Sequence, residues 1–279
     1  MATSITVPVL PGSGAGAVEL PIDVRVGLGQ MLVVPGDLPG NLLRAATMAA
    51  EAAAAGCDVL VLPECFDAGW THPDAGRLAT PRGGSTVAAL SDLARENGLM
   101  IASGFTELAD EGLYNAAVLI ASTGDVIGYH RKINELDFAR KLYLTGRSVS
   151  VESTPLGVVG LNICADNHLS SLTLGRSAAH MGARILLSPS SWAVRADRDV
   201  DEEPYEEWVE AYGALARSTG MPVVGVSNVG PVVGGKWDGW TCIGSSLAVD
   251  ADGAVLARAR FGADAAELVV ATVPLRPAA

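Results

Sequence analysis

The chain has 279 residues, 49% of them hydrophobic and 18% charged, with 19 Lys and Arg against 31 Asp and Glu for a net charge of −12. That composition belongs to a globular protein with a large core and excludes a disordered chain. The acidic balance argues against a nucleic-acid backbone as partner, and no apolar run reaches the roughly 18 residues of a membrane span.

The opening "MATSITVPVLPGSGAGAVELPIDV" reaches its first basic residue only at Arg25 and lacks the charged start of a signal peptide. Residues 1–22 read as a loose arm interrupted by Gly and Pro. Arg25 to Val34 reads as a strand, "GDLPGN" as a turn, and Leu42 to Ala55 as an Ala-rich helix ending at Gly56. "DVLVL" from Asp58 is a short continuous apolar run, which suits a strand buried on both faces. "GGSTVAALSDLAREN" predicts a second helix opened by a capping Ser or Thr and ending near Gly98; "LMIASGF" follows as a third strand. "YNAAVLIASTGDVIGYHRK" predicts a hairpin turning at Ser122 to Asp125. In the second half "GVVGLNI", "ARILLSP", "MPVVGVSN" and "AELVVATV" read as strands, and "SLTLGRSAAHMG" and "YEEWVEAYGALARSTG" as helices. "SSLAVDADGAVLARA" reads as a hairpin turning at Asp252-Gly253. The alternation predicts an α/β fold with a mixed sheet in a single domain, residues 1–279.

Cys57, Cys65, Cys164 and Cys242 are widely spaced with no CxxC, which fits reduced thiols in a cytoplasm. The four histidines form no HxxxH or HxH pair, so no metal site is expected. In an open α/β sheet, ligands bind beyond the carboxyl ends of the strands. Three reactive residues fall there. Glu64 follows "DVLVLP", where desolvation fits a carboxylate to take a proton. Lys132 ends "GYHRK", on the same strand face as His130 and opposite Arg131. Cys164 ends "GLNIC", where free backbone N–H groups of a following turn would favour a thiolate. Each has a bland alternative: a loop-opening surface glutamate, a solvated edge lysine, a small buried cysteine. Together they supply a base, an electrostatic stabiliser and a nucleophile.

At this point the sequence resembles the nitrilase, or carbon–nitrogen hydrolase, superfamily. The matching pieces, in family order, are "GQMLVVPGDLPGNLLRA", "LVLPECFDAGW", "GYHRKIN", "GLNICAD", "GARILLSPSSW" and "SLAVDADG". The resemblance implies a four-layer α-β-β-α sandwich with mixed sheets, a homodimer or larger assembly, and no cofactor. It also implies Glu64 as general base, Lys132 as holder of the oxyanion and thiolate, and Cys164 as nucleophile. The Ala165 N–H would complete the oxyanion hole. Matching motifs place Trp70, Asn167, Ser190, Ser191 and Trp192 on the pocket wall.

The sequence also departs from the family pattern. A second glutamate commonly precedes the glycine matching Gly146, but Ala139 stands there, leaving Glu135 and Asp137 as the nearby carboxylates. "NHLSSLTLG" lacks the usual proline-glutamate pair, and Ala165 replaces a larger residue after the cysteine. Cys-Ala-Asp resembles amidase and carbamoyl-hydrolase versions, so the expected substrate is a small linear amide or N-carbamoyl amine. Nitrile hydrolysis or acyl transfer at the same site is the alternative. A cysteine–histidine hydrolase using His130 or His168, and a non-catalytic binding or assembly subunit, are the readings of other kinds. The acidic run "RADRDVDEEPYEEWVE" reads first as a solvated helix start, with an amine-selecting loop as the sharper alternative.

Overall fold

Two six-stranded mixed sheets stack face to face, and helices cover the outer side of each. The computed structural model describes residues 23–195 and 206–276; the N-terminal arm and residues 196–205 of the acidic run lie outside the described residues. In chain order the first half contains β1 (Asp23–Gln30), α1 (Leu38–Ala54), β2 (Val59–Val61), α2 (Ala75–Leu78), α3 (Ser85–Asn97), β3 (Met100–Ala109), β4 (Gly112–Ile120) and β5 (Val126–Arg131). The second half contains β6 (Ser150–Thr154), β7 (Gly157–Leu161), α4 (Thr173–His180), β8 (Ile185–Ser190), β9 (Ala193–Val194) and α5 (Glu206–Thr219). It continues through β10 (Val223–Ser227), β11 (Val229–Pro231), β12 (Thr241–Ile243), β13 (Leu247–Val249), β14 (Val255–Arg258) and β15 (Glu267–Pro274).

The first sheet has the order β15-β1-β2-β3-β4-β5 and the second β14-β13-β10-β8-β7-β6. Their facing sides share one core: Val24, Val26, Val59, Val61 and Leu119 from the first sheet meet Val159, Leu161, Leu187 and Val224 from the second. On the outer side of the first sheet, Leu60, Leu62, Ile101 and Val118 pack on Ala45, Ala49 and Ala52 of α1 and Leu90 and Ala94 of α3. Ala178 of α4 and Ala211 and Leu215 of α5 cover the second sheet. The result is the expected four-layer α-β-β-α sandwich. The continuous apolar runs become central strands because both of their faces are covered.

Boundaries differ from the sequence reading in informative places. Helix α1 starts at Leu38 because the Asp37 side chain accepts from the Gly40 N–H at 3.1 Å and Pro39 suits the first turn. The "GDLPGN" turn is thus mostly helix. Helix α3 is preceded by Gly84 with no side-chain cap, so Ser85 and Thr86 lie inside it; Gly98 closes it at φ 63°. Strand β6, the short α2 and a three-stranded sheet ordered β11-β12-β9 carry no periodic signal and were not foreseen. Among the described residues no helix is long and apolar enough to cross a membrane.

Candidate active site

Strand ends deliver the three reactive side chains. Glu64 lies three residues beyond β2, and the turn that carries it presses against Gly104 of β3. A Cβ on Gly104 would approach the Glu64 Cα to 2.5 Å, so only glycine admits the turn. Lys132 follows β5 directly. Its carbonyl accepts from the Gly146 N–H at 2.8 Å, and a Cβ on Gly146 would overlap the Arg131 carbonyl. The alternation along β5 buries His130 and Lys132, while Arg131 on the opposite face donates to both oxygens of Glu107 at 2.9 and 2.6 Å. The solvated-edge reading of Lys132 is thereby excluded. Cys164 lies three residues beyond β7 and opens a single 3₁₀ turn, Cys164–Asn167, with its own φ at 44°. A non-glycine residue in that region is strained.

The charges are closely coupled. Lys132 Nζ and Asn115 Nδ2 both donate to Glu64 Oε1 at 2.6 Å, leaving Oε2 without a hydrogen-bond partner. Lys132 also lies 3.8 Å from Glu135 Oε2. Burial alone would lower the Lys132 pKa, but Glu135, Glu64 and the Cys164 sulfur outweigh it and hold the ammonium well above its ordinary value. Cys164 behaves otherwise than the sequence led us to expect. Burial and the Glu64 carboxylate raise its thiol pKa, and Lys132 only partly offsets them, so the resting sulfur is protonated. A single 3₁₀ turn is too short to reverse that balance.

Of the two carboxylates near Lys132 in sequence, Glu135 is the one the fold brings to it. It is buried beside Lys132, and burial raises its pKa to about 7, with Lys132 opposing and Glu64 reinforcing the shift. Asp137 points into solvent, 3.9 Å from Arg140 Nη1, with a side chain 99% exposed. Ala139, at the usual glutamate position, is buried in an apolar cluster with Trp70 and Tyr143.

Asp166 ties the lysine and cysteine loops together. Its Oδ1 accepts from the Ile133 and Asn134 N–H groups at 3.1 and 2.8 Å; its Oδ2 accepts from the Ile163 N–H at 3.1 Å and lies 2.8 Å from His130 Nε2. Burial pushes Asp166 up, but these hydrogen bonds outweigh it and hold the carboxyl below its ordinary value. His130 is therefore engaged away from the sulfur. His168 packs tilted against Trp208, ring centroids 4.8 Å apart, and burial followed by the Lys132 charge lowers its pKa.

Glu64, Lys132 and Cys164 open into one cavity of ≈ 220 Å³, smaller than the roughly 300–1,000 Å³ of sites that take drug-sized ligands. Trp70, Ala165, Ser191 and Trp192 line it as well. Asn167 and Ser190 do not. Asn167 is fixed behind the wall by Asn162 Nδ2 and Ser188 Oγ, each at 2.9 Å, and Ser190 Oγ donates to the Ser188 carbonyl at 3.2 Å. Sequence reasoning named His168 only as an alternative base and held Glu207 only within the run read as an alternative amine-selecting loop, and it missed Trp237 on the wall and Asn115 behind Glu64. Asn115 left one legible trace, an amide inside the apolar strand "LYNAAVLI". Cys65, next to Glu64, is fully buried off the cavity, its Sγ 3.4 Å from Asn115 Oδ1.

Comparison with known proteins agrees with this architecture. The carbon-nitrogen hydrolase family model matches residues 25–278. An omega-amidase of Danio rerio is 31% identical over 162 residues, covering 54% of this chain and 58% of that protein. A deaminated glutathione amidase of Homo sapiens is 32% identical over 191 residues, covering 62% of this chain and 57% of the relative. The chain thus spans somewhat more than half the length of these curated relatives. Among solved structures, the amidase from Nesterenkonia sp. AN1 in complex with acrylamide superposes with a TM-score of 0.77 at 22% identity, covering 93% of this chain and 94% of that one. A carbon-nitrogen hydrolase from Helicobacter pylori gives 0.79 at 22% identity over 90% and 89%. With the family model spanning nearly all of the described residues, the chain belongs to the carbon–nitrogen hydrolase family of the nitrilase superfamily.

Proposed function

We propose that this protein hydrolyses a small linear amide or N-carbamoyl amine through a thioester on Cys164. The observation that carries this reading is the convergence of Glu64, Lys132 and Cys164, from three separate strand ends, on one buried cavity. Because the resting sulfur is a thiol, its proton passes to Glu64 as the sulfur attacks the carbonyl carbon. The oxyanion is received by the Lys132 ammonium and by the Ala165 N–H, which has no intrahelical acceptor in the first turn. Glu64 returns the proton to the nitrogen, the C–N bond breaks, and ammonia or an amine leaves. Water then gives a proton to Glu64 and attacks the thioester; collapse releases the acid and restores the thiol. Glu135 serves as the second carboxylate by packing against Lys132 behind the cavity wall and positioning its ammonium.

The amidase names of the relatives support the reaction class, and solved structures of the Nesterenkonia amidase with the acetamide moiety of fluoroacetamide covalently added at its active-site cysteine support the nucleophile. The same resemblance leads us to propose a single catalytic domain over residues 1–279 and assembly as a homodimer or larger. The free cysteines, all buried, fit a reducing cytoplasm.

Cys164→Ala should abolish ammonia release from a panel of short amides and N-carbamoyl amines while melting close to the unaltered protein. Lys132→Ala should lower kcat/KM on the order of 10³-fold or more, since one ammonium serves both the carboxylate pair and the oxyanion. Hydrolysis that survives Cys164→Ala would overturn the assignment.

A further inference from the structure

Apart from Glu64, Lys132 and Cys164, the ionisable residues of the cavity wall are His168 and Glu207. His168 is held toward its neutral form and the Cys164 thiol is protonated, while Lys132 is already matched by Glu64. Glu207, in the first turn of α5, is exposed and makes no ion pair among the described residues. The wall therefore presents an uncompensated carboxylate and no spare cation among its described residues. Beside Leu136, Ala165, Ser191 and Ala193, the rest of it is indole: Trp70, Trp192, Trp208 and Trp237 are four of the chain's five tryptophans. Trp192 and Trp208 stack at 4.7 Å, and Trp70 meets Trp237 edge-on at 5.3 Å. Indole faces attract cations, and a carboxylate at the mouth adds a charge of matching sign; the same pair repels an anion.

Building on the amidase reading above, we infer that this site takes amides whose far end carries a primary ammonium, held between the indoles and Glu207. The amide enters first, toward Cys164, and the ammonium trails at the mouth. Glu207 is then a specificity-determining residue that acts on binding and takes no part in bond breaking. The acidic start of α5 thus serves a ligand as well as the helix dipole.

Three amides of matched length test this: 4-aminobutanamide, pentanamide and glutaramate, differing in a terminal ammonium, methyl or carboxylate. Ammonia release gives kcat/KM for each, and calorimetry on Cys164→Ala gives their affinities without turnover. The ammonium compound should exceed pentanamide by roughly tenfold, with glutaramate weakest. Glu207→Gln should bring the ammonium-to-methyl ratio close to one, chiefly through KM, and Glu207→Lys should move glutaramate ahead of 4-aminobutanamide. A preference for pentanamide or glutaramate, or a ratio indifferent to Glu207→Gln, would overturn the inference. If Cys164→Ala binds the three in the expected order but the unaltered protein hydrolyses none, the inference stands and the hydrolytic reading falls. Hydrolysis without that order sinks the inference alone.

Discussion

Lys132 touches two carboxylates, and the two are not equivalent. Glu64 is hydrogen-bonded to it at 2.6 Å, whereas Glu135 stands 3.8 Å away with both oxygens lacking a hydrogen-bond partner. Burial raises the Glu135 pKa from an ordinary 4.5 to about 7, with Lys132 opposing the shift and the Glu64 charge reinforcing it. The sign of the linkage follows. The folded state binds this proton more tightly than the unfolded chain, so the associated stability is fully present below about pH 4.5 and is lost as pH rises through about 7. Glu135→Gln removes the charge that must be buried at high pH. Its Tm relative to the unaltered protein should therefore rise between pH 5 and pH 8, by an amount reflecting on the order of a few kcal/mol. Parallel melting curves across that range would show that Glu135 does not carry the shifted titration. Glu135 and Asp137 could not be separated by reading the sequence, because they differ in burial, which the fold of the loop after Lys132 decides.

At the scale of elements, Asp166 matters most. One carboxylate accepts from the backbone on both sides of the site, at Ile133 and Asn134 after β5 and at Ile163 before Cys164, so the lysine and cysteine loops cannot move independently. Asp166→Asn retains the shape but replaces one acceptor oxygen with a donor, leaving buried N–H groups unmatched at about 1–3 kcal/mol. It should lower Tm and reduce kcat by roughly 10²-fold with a smaller change in KM, because the reacting groups lose their mutual position. Steady-state kinetics and thermal melting check this; an unchanged kcat would show that the clasp is dispensable.

Elements whose pattern repeats were legible beforehand. The apolar runs of β2, β8 and β10, the β4–β5 hairpin, and the alternation that puts His130 and Lys132 on one face all follow from short-range periodicity. The small sheet β11-β12-β9 was not legible, since two- and three-residue strands have no period to detect, and the five-residue β6, "SVEST", has a single apolar side chain and so no alternation to read. The protonation of Cys164 was misread for a different reason: the local turn was weighed, while the decisive terms are burial and a carboxylate 100 positions away in sequence.

At the scale of the molecule, the site belongs to neither sheet alone. Glu64 and Lys132 come from the first sheet and Cys164 from the second, and the core between the sheets sets their separation. The pieces that resemble the superfamily mark those strand ends, which is why the reactive residues could be named from sequence. Trp70 and Trp192 could be named because they sit in those pieces, whereas Trp208 and Trp237 lie outside them and join the aromatic wall only when the layers close. The central claim is that this meeting of two sheets makes Cys164 an acyl acceptor with Glu64 as its base. Mass spectrometry of acid-quenched reactions with a slowly hydrolysed amide tests it most directly. The account predicts the mass of the acyl group on the peptide containing Cys164, absent in Cys164→Ala and formed far more slowly in Glu64→Gln. Turnover with no acyl group on Cys164, or acylation of Glu64→Gln at the unaltered rate, would contradict it.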